Sequence, residues 1–236
     1  MKALIFAAGK GERMRPLTEH TPKPLLSVGG KPLIAWHLEK LAAAGIREIV
    51  INSAWLASRL HDALGDGAHW GVRIVWSHEG AEPLETGGGL LHALPLLGDA
   101  PFLVVNGDVY CDVDFTALPR TPPTLAHLVM VDPPAHSAQG DFALGSGGLL
   151  HSSGETLLTY SGIGVYRREL FAHWQRDVAG TAGADTTPPT FRLAALLRAA
   201  MARNAVSGEH FSGRWADVGT PERLAVLDAA LRGEHG

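Results

Sequence analysis

The residues best suited to chemistry stand near the start of the chain, in Ala7-Ala8-Gly9-Lys10-Gly11-Glu12-Arg13-Met14-Arg15-Pro16-Leu17-Thr18, closed by Pro22-Lys23-Pro24-Leu25. Glycine lets backbone N–H groups approach an anion without Cβ interference, which is how such loops cradle phosphate. Arg13 can fork across two phosphate oxygens. Lys23, held between two prolines, supplies a point charge on a stiffened segment. The loop is not a dinucleotide fingerprint, because Met14 stands where the third glycine belongs. It is not a P-loop either, because Gly30-Lys31 is followed by Pro32 and lacks the earlier glycine at Leu25. What remains is a polyanion site with Arg13 and Lys23 as its cations.

A loop of this kind needs a strand before it and a sheet beneath it. Lys2 to Ala7 reads as a buried parallel strand, Leu33 to Ala44 as a helix stopped by Gly45, Arg47 to Asn52 as a strand, and Ala54 to Leu64 as a helix. Val72 to Trp76 reads as a strand. A short helix is expected after Gly87–Gly89, running to about Leu94, and then a strand from Phe102 to Val105. Asp114 is expected to cap a short helix from Phe115, and Asp112 to be a solvated turn residue. Beyond them, Leu125 to Val131 and Thr156 to Tyr166 read as strands, Ala179 to Pro189 as an irregular loop, and Phe191 to Ala202 and Pro221 to Leu231 as helices. Alternating strands and helices predict an α/β fold: a Rossmann-like mixed, mostly parallel sheet sandwiched by helices. Its ligands should lie at the carboxyl ends of the strands. Asn52, at the end of a strand, could face that crevice, though capping the next helix suits it better.

Composition narrows the function classes. With 236 residues, 46% apolar and 19% charged, the chain has material for a core and reads as one domain. Residues 1–115 form the expected nucleotide-binding half, and 116–236 the second half with the C-terminal helices. A single cysteine, Cys111, excludes an internal disulfide or a cysteine zinc cluster. No apolar run reaches the length of a membrane span, and the N-terminus lacks a signal-peptide pattern, so a soluble, cytoplasmic protein is expected. Residues 1 to 40 hold all five lysines and carry net +4, while the remainder carries −8. That division suits a small polyanion rather than a nucleic-acid backbone. The 12 histidines have no metal-ligand spacing, and no serine-hydrolase elbow is present.

Residues 4 to 25, with their glycine loop, arginine, Pro-Leu-Thr and Pro-Lys, resemble the sugar-1-phosphate nucleotidyltransferases. The resemblance implies that Ala8, Gly9, Gly11, Glu12 and Arg13 surround a nucleoside triphosphate and that Lys23 neutralises the reacting phosphorus. It implies that Glu85-Thr86-Gly87-Gly88-Gly89 is a nucleobase loop, with Glu85, Gly87 and Gly88 against the base. Asn106-Gly107-Asp108 would then supply a nucleotide contact at Asn106 and a Mg²⁺ ligand at Asp108. Trp215-Ala216-Asp217-Val218-Gly219-Thr220 resembles the late aspartate motif of that family, making Asp217 the second Mg²⁺ ligand.

The resemblance breaks on the sugar side. Many hexose-1-phosphate members carry Glu-Lys-Pro there, whereas no lysine follows Lys40. Asp141, Ser161 and Gly162 are the candidates for sugar binding, Asp141 reading equally well as an exposed turn residue. The shorter length, with Ser207-Gly208-Glu209-His210 and the segments above, is most similar to members acting on N-acetylmuramate 1-phosphate, which implies UTP as the other substrate. Mannose-1-phosphate guanylyl transfer, glucose-1-phosphate uridylyl transfer and a non-catalytic sugar-nucleotide sensor are the alternatives.

Overall fold

The computed structural model describes residues 1–137 and 139–233. Its centre is a seven-stranded sheet in the order β12-β8-β11-β6-β1-β4-β5. These strands are β1 (Ala3–Phe6), β4 (Glu48–Ser53), β5 (Arg73–His78), β6 (Phe102–Asn106), β8 (Ala126–Val131), β11 (Thr159–Tyr166) and β12 (Val206–His210). Three two-stranded ribbons flank it: β2 (Ser27–Val28) with β3 (Lys31–Pro32), β7 (Val109–Cys111) with β13 (Trp215–Asp217), and β9 (Ala143–Leu144) with β10 (Leu150–His151). The helices are α1 (Leu33–Ala43), α2 (Ala57–Leu64), α3 (Glu85–Leu97), α4 (Trp174–Asp177), α5 (Leu193–Met201) and α6 (Pro221–Gly233). Among the described residues no helix is long and apolar enough to cross a membrane.

The expected class is met, with one informative irregularity. β11 pairs antiparallel with both β6 and β8, while β1, β4, β5, β6 and β12 join their neighbours in parallel. Because β11 is reversed, its first residues lie at the end of the sheet where the parallel strands finish. Alternation along the strands then builds two cores. Leu4, Val50, Phe102 and Val104 face α3 and α5, through Leu90, Leu94, Leu196 and Leu197. Ile5, Ile49, Ile51 and Val105 face α1 and α2, through Ile34, Leu38, Leu41, Leu60 and Leu64. A third cluster joins Met14 of the glycine loop, Val28, Tyr110, Val218 and α6. It fixes that loop to the β7–β13 ribbon.

The helix stop expected at Gly45 is present as a Schellman motif. Gly45, at φ 73°, donates to Ala42 and Ile46 donates to Leu41. Three expectations are corrected. Gly87–Gly89 are not a loop before a helix but the first turns of α3 itself, which continues to Leu97 with Pro95 inside it. Asp114 caps no helix: the chain at 115–117 only turns, and its carboxylate accepts from the Thr116 backbone N–H and hydroxyl. Asn52 does not cap α2, which begins only at Ala57. The strands β12 and β13, too short and mixed in polarity to stand out, complete the sheet edge and the small ribbon.

Candidate active site

Two cavities open at the carboxyl ends of the parallel strands, one of about 570 Å³ and one of about 210 Å³. Asn106 and Asp108 line both. The larger is walled by the segment from Ala8 to Arg13, by Lys23, by Asn52 and Glu79, and by Glu85 and Thr86. The smaller is walled by Thr159, Tyr160 and Ser161 at the start of the reversed β11, and by His136, Trp215 and Asp217.

The glycine loop is shaped from behind. Gly11 sits at φ 63°, and a Cβ there would come within 2.9 Å of the Thr18 methyl. Thr18 in turn donates its hydroxyl to the Gly11 carbonyl at 2.8 Å, and its own backbone carbonyl accepts from the Trp55 indole at 3.1 Å. Arg13 and Glu12 are exposed at the mouth of the cavity, and Lys10 reaches across to Glu82 at 2.6 Å. Lys23 is buried beneath, and its Nζ donates to Asp108 Oδ2 at 2.6 Å.

Asp108 and Asp217 come together through the ribbon. In the β7–β13 register Asp217 lies opposite Val109, and the Val218 N–H donates to the Asp108 carbonyl at 2.8 Å. Both carboxylates are part-exposed. Asp217 Oδ1 accepts from Arg223 and lies 3.3 Å from His136 Nε2. Among the described residues no three His, Cys, Asp or Glu side chains gather as a metal-holding group. Two carboxylates with room beside them are nevertheless the donor set that Mg²⁺ takes from protein when substrate oxygens and water supply the rest.

The nucleobase loop is only partly as expected. Glu85 and Thr86 line the larger cavity, with Glu85 in the left-handed region at φ 60°. Gly87 and Gly88, however, turn toward the protein. Both donate to the Phe191 carbonyl, at 2.8 and 3.1 Å, and a Cβ on Gly88 would stand 2.4 Å from the Pro189 carbonyl oxygen. The missing Cβ atoms of these glycines make room for residues 189–191.

On the sugar side, Ser161 lines the smaller cavity but its buried hydroxyl donates to the Val129 carbonyl. Gly162, at φ 82°, backs against the Asn106 amide. Asp141 lies outside both linings and is exposed, and its carboxylate accepts from the Tyr160 N–H at 2.9 Å. It tethers a wall of the site instead of facing into it.

Glu79 is a site residue that sequence reasoning missed. Buried just past β5, it accepts from Asn52 Nδ2 at 2.7 Å and from the Leu84 N–H at 2.8 Å, while Asn52 Oδ1 accepts from the Ala7 N–H. Burial pushes its carboxyl above the usual range, outweighing those hydrogen bonds. Asn52 and Glu79 thus tie the start of the glycine loop to the loop before Glu85. The available signal was position: both residues stand at the carboxyl end of a parallel strand.

Comparison with known proteins agrees with this geometry. The family model described as "Nucleotidyl transferase" matches residues 2–136. The N-acetylmuramate alpha-1-phosphate uridylyltransferase of Neisseria meningitidis serogroup B is 52% identical, with 97% of each chain covered. The protein of the same name from Caulobacter vibrioides is 33% identical over 97% of this chain and 96% of its own. Among solved structures, a putative glucose-1-phosphate thymidylyltransferase from Bacillus anthracis superimposes with a TM-score of 0.80 at 22% identity, covering 98% of this chain and 95% of that one, and so shares the fold. Family match, full-length identity and the placing of Arg13, Lys23 and Asp108 in one cleft lead to one assignment: the chain belongs to the nucleotidyl transferase family.

Proposed function

We propose that the chain transfers the uridylyl group of UTP to N-acetylmuramate 1-phosphate, giving UDP-N-acetylmuramate and pyrophosphate. The observation that carries this reading is the position of Asp108, shared by the two cavities and bonded to Lys23. UTP occupies the larger cavity and the sugar 1-phosphate the smaller, so that their phosphates meet at Asp108. The names of two relatives matched along almost their whole length supply the base and the sugar.

In this reading a phosphate oxygen of the sugar 1-phosphate attacks the α-phosphorus in line. The new P–O bond forms as the bond to the bridging oxygen of the β-phosphate breaks, and pyrophosphate leaves with that electron pair. The attacking oxygen is already ionised, so no side chain has to remove a proton. Lys23 meets the charge at the α-phosphate, Arg13 forks onto the departing phosphates, and the loop N–H groups from Ala8 to Gly11 orient the chain of phosphates; catalysis is positioning and charge stabilisation. Asp108 and Asp217 would hold Mg²⁺, which when bound supplies positive charge between two polyanions. Glu85 and Thr86 border the base, and Asn106 the junction of the cavities.

The test is pyrophosphate release with UTP, GTP, dTTP and CTP, each paired with N-acetylmuramate, N-acetylglucosamine, glucose and mannose 1-phosphates. Release confined to UTP with N-acetylmuramate 1-phosphate is the expected result. Preference for another pair overturns the substrate assignment, and no release from a folded protein that still binds UDP-sugar overturns the activity.

A further inference from the structure

The smaller cavity is acidic where its expected ligand is anionic. Asp108 and Asp217 both line it, and among its described lining residues there is neither lysine nor arginine. No lysine occurs in the chain after Lys40. A sugar phosphate entering there needs a cation from just behind the wall. Arg223 is in that position. Its Nη1 bonds both Asp217 Oδ1 and His136 Nε2, two groups of the smaller cavity. On its other side the guanidinium lies against Gly219, which borders the larger one: a Cβ built on Gly219 would fall 2.3 Å from Nη2. Glycine at 219 is thus what lets Arg223 reach the partition between the cavities.

Two further observations bear on its purpose. Among the described residues both hydrogen bonds of the Arg223 guanidinium leave from Nη1, so the Nε–Nη2 edge, whose Nη2 packs beside Gly219 at the partition, makes no hydrogen bond, and the side chain is 23% exposed. That edge presents two parallel N–H groups, the pattern that takes two phosphate oxygens. Arg223 also stands in the first turn of α6, where the helix dipole disfavours a cation, so helix electrostatics do not account for it. Asp217 uses only Oδ1 toward Arg223 and His136, which leaves Oδ2 for another cation.

Resting on the uridylyltransferase reading, we propose that Arg223 is the residue that binds the phosphate of the sugar 1-phosphate, in place of the lysine missing from the second half of the chain. Asp217 anchors the guanidinium through Nη1, and the phosphate takes the opposite edge.

The experiment compares wild type with Arg223→Ala, Arg223→Gln and Arg223→Lys. Steady-state KM is read for each substrate, and calorimetric affinity for N-acetylmuramate 1-phosphate and for N-acetylmuramate without phosphate. Loss of charge-assisted hydrogen bonds should raise KM for the sugar 1-phosphate about tenfold to a hundredfold in the Ala and Gln variants. KM for UTP and affinity for the phosphate-free sugar should stay within about twofold, and Lys should restore part of the loss. The proposal is overturned if phosphorylated and phosphate-free sugar weaken alike, if KM for UTP rises in step, or if kcat falls with KM for the sugar phosphate unmoved. The last result is what an arginine that only orients Asp217 would give. Gln, though shorter, keeps the aliphatic stem and two N–H donors without the charge, should Ala not fold. If wild type turns over a different sugar 1-phosphate, the substrate reading fails by itself, and the same comparison is read with the sugar phosphate that it does use.

Discussion

Lys23 and Asp108 are each other's counter-ion at 2.6 Å, and in the proposed reaction a polyanion takes the lysine. Lys23→Ala should therefore lower kcat by roughly 10²–10³-fold, the scale of losing one preorganised charge at a developing transition state. Its far-ultraviolet circular dichroism should stay native, and wild-type turnover in the folded variant would remove Lys23 from the chemistry. Arg13→Lys exchanges a fork for a point charge, so KM for UTP should rise while the fold is kept. These two cations could be read from the sequence because their neighbours, Gly11 and Pro22–Pro24, are local. Asn52 and Glu79 could not. Their bonds, to each other and to Ala7, span 27 and 45 residues, and no spacing along the chain announces them.

At the scale of elements, the start of α3 shows propensity losing to packing. Three successive glycines cost about 1 kcal/mol each in a helix relative to alanine, which is why the sequence suggests a loop. Carbonyl capping by Phe191 and the close approach of Pro189 reverse that preference. Gly88→Ala should then destabilise by about 1–3 kcal/mol despite alanine's better propensity, because the new methyl meets a backbone oxygen. A raised midpoint in urea would contradict this. The β7–β13 ribbon makes a second prediction. His37, fully buried in α1, donates from Nε2 to the Val109 carbonyl, and its Nδ1 has no partner among the described residues. Burial pulls its pKa down to about 4, against the bond to Val109 that favours the charged form. With the folded value below the unfolded one, the neutral ring's contribution is complete above pH 6.5 and is lost as pH falls through about 4. That loss approaches roughly 3 kcal/mol. Urea unfolding of wild type and His37→Gln between pH 7 and 4.5 should show their gap shrinking with acid; a constant gap would contradict the assignment.

For the whole molecule, the clustering of lysines along the chain is only partly a clustering in space. Of the five lysines in residues 1–40, Lys10 and Lys23 line the larger cavity, while Lys2, Lys31 and Lys40 bond to Leu96, Glu39 and Cys111, and the acidic remainder brings Asp108 and Asp217 to the smaller cavity. Chelation with EDTA should abolish pyrophosphate release and added Mg²⁺ should restore it; turnover that survives chelation would argue against a metal on these carboxylates. UTP with Mg²⁺ at about 100 times its Kd should stabilise the protein by about 2.7 kcal/mol, visible as a higher melting midpoint. The parallel half of the sheet was legible because its strands are continuous apolar runs. The strand from Thr156 to Tyr166 was legible too, but its reversal as β11 was not, nor were the two-residue strands and the ribbon, since their pairing is decided by partners up to about a hundred residues distant along the chain. That distance bears on synthesis. As the chain leaves the ribosome, the glycine loop, Lys23 and Asp108 are complete by the halfway point, whereas Asp217 enters its ribbon opposite Val109 only after some two hundred residues have emerged. A nascent chain, or one cut short before residue 215, would lack not only Asp217 but also Val218, Leu227 and Leu231, against which Met14 of the glycine loop packs, so that loop gains its backing only when synthesis is nearly done.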